Sequence, residues 1–68
     1  MIQLHRLGST HEAFHVNVDL IATVEGHPDV VLTLTNGTKL VVAESAEDIV
    51  AAVRRWRVEV MTEALRAS

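Results

Sequence analysis

The apolar positions of the chain fall into five short runs and then one long stretch of helical period. The densest runs are Val30 to Leu34 and Leu40 to Val42, separated by a segment containing Asn36-Gly37. Asn-Gly between strand-forming runs is the strongest short-range hairpin signal, because a two-residue type I′ turn needs positive φ at both central positions. A two-residue turn pairs Thr35 with Thr38, Thr33 with Leu40, Leu32 with Val41 and Val31 with Val42. In that register one face carries Val30, Leu32, Leu34 and Val41, and the other Val31, Thr33, Leu40 and Val42. Both faces are then apolar, and each calls for a cover.

Upstream, residues 2–7 read as a first strand, the Gly8 to Glu12 segment as its loop, and residues 13–17 as a second strand with clean period-2 alternation around Phe14. Folding one on the other places Leu4 opposite Val16, Ile2 opposite Val18, and His5 opposite His15 on the far face. Asn17-Val18-Asp19 reads as a bend in which the polar side chains bond nearby backbone amides. A third strand spans 20–25 and is closed by the breaker cluster Gly26-His27-Pro28-Asp29. The hairpin supplies strands at 30–35 and 38–43.

Ser45 then caps a helix over 46–66, with Asp48 in the place that a capping box usually gives to Glu or Gln. Glu47 and Asp48 in the first turn also suit the positive end of the helix dipole. Ile49, Val53, Trp56, Val60 and Ala64 form a stripe for the sheet, which predicts burial of Trp56. Val50, Val58, Met61 and Leu65 lie off that stripe. A helix of about 20 residues is roughly 30 Å long, whereas strands of five or six residues reach about 17–20 Å. The helix must therefore overhang, and the overhang includes Val58, Met61 and Leu65. The expected fold is α+β in a single domain: a five-stranded antiparallel meander, or small open barrel, with one long C-terminal helix. Surplus apolar surface on so small a chain points to a homo-oligomer or an obligate partner.

Composition narrows the function. The chain has 68 residues and no cysteine, so disulfides and thiolate metal sites are excluded. The opening MIQLHRL lacks the pattern of a signal peptide, and no apolar run approaches a membrane span, so a cytoplasmic protein is expected. Net charge is −3 and unevenly placed. Residues 1–45 hold Arg6 and Lys39 against Glu12, Asp19, Glu25, Asp29 and Glu44, whereas Arg54, Arg55, Arg57 and Arg66 balance Glu47, Asp48, Glu59 and Glu63. An acidic sheet portion is a poor phosphate-binding surface.

Candidate chemistry is sparse. His5 and His15, with His11 near them, supply at most three ligands, where a structural zinc wants four, so a solvated cross-strand pair is the expectation and no metal or cofactor is assigned. No Ser/His/Asp spacing suggests a triad and no Gly-rich phosphate loop exists, so no enzyme is expected. Arg54-Arg55-Trp56-Arg57 is the one basic, aromatic motif. Arg55 has Glu59 one turn on for a partner, leaving Arg54 and Arg57 for solvent or a bound molecule. The alternative reading, a small regulatory nucleic-acid-binding protein, would use this turn, but a single aromatic gives bases little to stack on.

The ordered set Met1-Ile2, Leu4, Arg6-Leu7, Phe14, Asn17, Leu20-Ile21, Glu25, Pro28-Asp29, the aliphatic run Val30 to Leu34, Gly37, Lys39, Val42 and Glu44 resembles the small flagellar family called FlbD or SwrD. The likeness covers residues 1 to about 60. His5 stands where family members often have Thr, and the Gly8 to Glu12 loop replaces a tight Asn-Gly turn. The resemblance implies a non-enzymatic role in flagellar motility, supporting motor torque through the stator units, with a motor or stator protein as partner and a place at the inner face of the cell membrane. Arg54, Arg57, Met61 and Leu65 on the helix, and Glu25, Asp29 and Lys39 on the turn side of the sheet, are the candidate contact residues. Phe14, Asn36, Gly37, Ser45 and Trp56 are assigned structural roles.

Overall fold

A computed structural model describes residues 1–26 and 28–67; His27, placed above in the turn before the hairpin, lies outside the described residues. The chain runs β1 (Ile2–His5), β2 (Ala13–Val16), a short 3₁₀ turn (Val18–Leu20), β3 (Ile21–Gly26), β4 (Val30–Leu34), β5 (Lys39–Val42) and α1 (Ala46–Ala67). The α+β class and the single C-terminal helix are as expected. The continuous meander or barrel is not: the five antiparallel strands divide into a β1-β2 pair and a β3-β4-β5 sheet. The 3₁₀ turn is the cause. Asn17 caps it by accepting the Asp19 N–H at 3.0 Å, Val18 is buried within it, and the chain is redirected so that β2 and β3 are not neighbours. The sheets meet at the other end instead, through one antiparallel bridge, Arg6 to Val42. Leu7 N–H donates to Val41 O at 3.0 Å and Ala43 N–H to His5 O at 2.8 Å on either side of it.

The hairpin corrects the expected register by one residue. Val30 pairs with Val42, Val31 with Val41, Leu32 with Leu40 and Thr33 with Lys39. The loop has three residues rather than two: Leu34 and Thr38 close it, with Leu34 N–H donating to Thr38 O at 2.8 Å and Gly37 N–H to Leu34 O at 2.9 Å. Within this loop Gly37 alone takes positive φ, at 89°, as in a turn followed by a left-handed bulge residue. Asn36 contributes by accepting the Thr38 N–H at 2.9 Å through its side chain. Because side chains alternate, one residue of slip changes which face each one occupies. Val30, Leu32, Leu34, Leu40 and Val42 now share the inner face and pack in or against the core. Val31, Thr33, Lys39 and Val41 lie on the outer face. The two apolar faces of the expected register collapse into one.

β1 and β2 also pair two residues away from the expected register, which preserves the faces. Ile2 faces Val16 and Leu4 faces Phe14, while His5 lies opposite Ala13 and His15 opposite Gln3, so the two histidines are not partners. In β3 the register shifts between Ile21 and Thr23. That extra residue lets Ile21 and Val24, three apart, both pack against the core.

The core joins both sheets to the helix: Ile2, Leu4, Val16, Val18, Leu32, Val42 and Ile49 are buried, and no polar side chain is buried among the described residues. Burying a side chain such as Leu4, Leu32 or Ile49 fully contributes about 1.5–3 kcal/mol each. The capping box forms with an aspartate: Asp48 N–H donates to Ser45 Oγ at 3.0 Å and Ser45 N–H to Asp48 Oδ2 at 3.4 Å. α1 has 22 residues, about 33 Å of helix, and packs against β1 and β3. The overhang expected from these lengths is present. The radius of gyration is 13.1 Å, where a compact chain of this size comes to about 11 Å.

Candidate functional site

Helix α1 divides at Val53. Before it, Ile49 is buried and Ala52 and Val53 pack against the core. After it, every described position is exposed. Trp56, expected against the sheet, is 36% exposed, and Val58, Met61 and Leu65 reach 64%, 65% and 71%. The correction for Trp56 follows from geometry. The strands are four to six residues long, so sheet backing ends two turns into the helix. Trp56 instead lies beside the 3₁₀ turn.

Two hollows run along this side of the helix. The first, of about 310 Å³, is lined by Val18, Ile21 and Val24 from the 3₁₀ turn and β3, and by Ile49, Val50, Val53, Arg54 and Arg57 from α1. The second, of about 430 Å³, is lined by Val18, Asp19, Trp56, Arg57, Val60, Met61 and Ala64. They share Val18 and Arg57, so together they form one groove between the helix and the 3₁₀ turn. Its floor is aliphatic and its helix rim carries two guanidinium groups. Among the described residues neither Arg54 nor Arg57 has an ion pair or hydrogen bond from its side chain. Arg55 and Glu59 do not pair either; among the described residues the helix's ion pair is Glu63 with Arg66 at 3.9 Å, both well exposed.

The sequence-selected contact residues therefore separate. Arg54, Arg57 and Met61 come together along the groove. Leu65 is further out on the same helix. Glu25 and Lys39 belong to the outer face of the three-stranded sheet, because their neighbours Val24 and Leu40 pack against the core and side chains alternate. Asp29 lies in the turn before β4. The groove and the outer sheet face are on opposite sides of that sheet, so the seven residues do not make one surface.

A polar cluster that sequence reasoning missed sits at the seam between the sheets. Glu44 Oε1 accepts the His5 backbone N–H at 2.9 Å, and Glu44 Oε2 lies 2.6 Å from His5 Nδ1. Burial pulls the Glu44 carboxyl upward, but hydrogen bonds from the His5 backbone and ring, a bond from its own backbone N–H and the attraction of the His5 ring outweigh it, and its pKa falls below the ordinary 4.5. The residues are 39 positions apart, and no local pattern signals such a pairing. His5, His11, Glu44 and Asp48 line a shallow cleft here, but among the described residues no group of three or more His, Asp or Glu is placed to hold a metal ion. Phe14, half-buried, also serves this end of the molecule: the Arg6 guanidinium lies 4.9 Å from its ring centroid.

No helix among the described residues is long and apolar enough to cross a membrane. Comparison with curated proteins and with solved structures gave no match. The model of one protein family, described as FlbD, flagellar and swarming motility proteins, matches residues 1–61. That match takes in both sheets, the seam, the groove except for Ala64 and the helix as far as Met61, nearly the whole of the chain. The protein belongs to the FlbD family of flagellar and swarming motility proteins.

Proposed function

We propose that the protein is a non-enzymatic accessory factor of the flagellar motor, supporting torque through contact with a motor or stator protein at the inner face of the membrane. Family membership supplies the process. The observation that carries the mode of action is the helix beyond Val53, where Trp56, Val58, Val60 and Met61 stand exposed on a chain whose buried core is already complete. Apolar area of this kind has value only when something covers it. The groove side of the helix serves the motor partner, and the outer stripe with Val58 serves a second copy of the chain.

Deleting the gene should lower swimming speed and motor torque, and re-expressing the protein should restore both. Complementation by a Trp56→Ala, Met61→Gln double variant should fail although that variant folds. Unchanged torque in the deletion strain would remove the proposal. For self-association, light scattering on the pure protein should give a mass above the monomer's 7.5 kDa, and Val58→Glu should return it to the monomer.

A further inference from the structure

We infer that the groove receives an extended, acidic segment of the partner protein, which adds as a strand to the free edge of β3. This rests on the accessory-protein reading above and specifies what its partner presents. Three features point the same way. β3 ends its sheet, with β4 on one side and no strand on the other, and it is the longest strand at six residues. The Ile21 N–H is already held by Val18 O, and the edge beyond it, from Ala22 to Gly26, is a template for main-chain hydrogen bonds with an incoming strand. The inward side chains of β3, Ile21 and Val24, form one wall of the groove, and Val50 and Val53 of α1 form the other.

A strand laid on that edge would turn alternate side chains into the groove, where aliphatic groups match the lining. Arg54 and Arg57 stand on the helix side of the same groove without ion-pair partners among the described residues. Carboxylates in the incoming segment would meet them, and charge-assisted contacts with guanidinium groups are among the stronger ones available. The charged residues lining the groove are Arg54, Arg57 and Asp19, a locally positive balance within a chain of net charge −3, and that local excess favours an acidic segment there.

The test is calorimetric titration of the full-length protein with a panel of short peptides of alternating valine and threonine, a glutamate being moved through each position in turn. Two control panels carry lysine in place of glutamate, or N-methyl groups on alternate backbone nitrogens. The expected result is binding by some glutamate peptides, weakened by about tenfold or more in the lysine series, the loss of roughly one charge-assisted contact, and abolished by N-methylation. An Arg54→Glu, Arg57→Glu variant, altered only at exposed positions, should reverse the glutamate-lysine preference. Equal binding of both charge series overturns the acidic assignment, and full binding of N-methylated peptides overturns strand addition. If no peptide binds, the inference falls; the accessory-protein reading still stands provided that the Trp56→Ala, Met61→Gln variant fails to restore torque. A dimer dissolved by the double arginine variant would give the groove to a second copy, and phosphatidylglycerol vesicles captured through the same arginines would give it to a lipid surface; either overturns the proposal.

Discussion

The two halves of α1 have similar apolar content and opposite surroundings. Ala46 to Val53 rests on β1 and β3 and closes the core with Ile49, whereas Trp56 to Ala67 extends past the sheets with its apolar side chains in solvent. Hydrophobicity alone did not choose between them. The first half is held because the sheet lies beneath it and because Ser45 and Asp48 fix where the helix starts. The second half inherits its helical state by propagation from an established nucleus. What separates structure from interface here is the length of the strands.

That contrast can be broken most sharply at Ile49. Ile49→Ala should cost about 2–5 kcal/mol, a large share of the stability of so small a domain, and urea denaturation followed by circular dichroism would show it. Ser45→Ala should cost about 1 kcal/mol by removing the cap, read in the same assay, with the loss falling on the docked half.

Acid should act next, through the seam that brings β1 to the foot of the helix. The folded pKa of Glu44 is lowered, so its stabilising contribution is fully present above the ordinary value of 4.5. It is lost as pH falls through the lower folded value. Melting temperature should therefore drop as pH falls from 4.5 through that lower folded value, and Glu44→Gln should flatten the drop. The smallest effect belongs to the distal half: Val58→Gln and Met61→Gln should change stability by no more than about 0.5 kcal/mol while Met61→Gln weakens motility in complementation. A loss of stability comparable to Ile49→Ala at either site would mean that the distal half is not free.

Much of this was legible in the residues. Period-2 runs, the Asn36-Gly37 turn, the Ser45 cap and the long stretch free of glycine and proline located all five strands and the helix to within a residue or two. Arg54, Arg57 and Met61 were also marked as contact candidates, and the structure brings them to one groove. The misses share a cause. The hairpin register turned on whether the loop held two residues or three, and Asn-Gly is compatible with both. That single residue decided whether Leu40 and Val42 joined Val30, Leu32 and Leu34 or opposed them. The expected register placed apolar excess on both the sheet and the overhanging helix; the sheet's share largely disappears, and the helix's share stands as expected at Val58, Met61 and Leu65.

The sequence by itself determined which segments become strand and helix, because turn geometry, capping and side-chain periodicity act over a few neighbouring residues. It also determined that the family is a motility family, since an ordered set of residues is visible without folding. Only the tertiary structure decided that the strands form two sheets joined by a bridge at Arg6 and Val42, that Trp56 stands at the edge of a groove, and that Glu44 reaches back to His5. Those outcomes depend on contacts between residues far apart in the chain, whose alternatives differ little locally and are resolved only when the whole core is assembled.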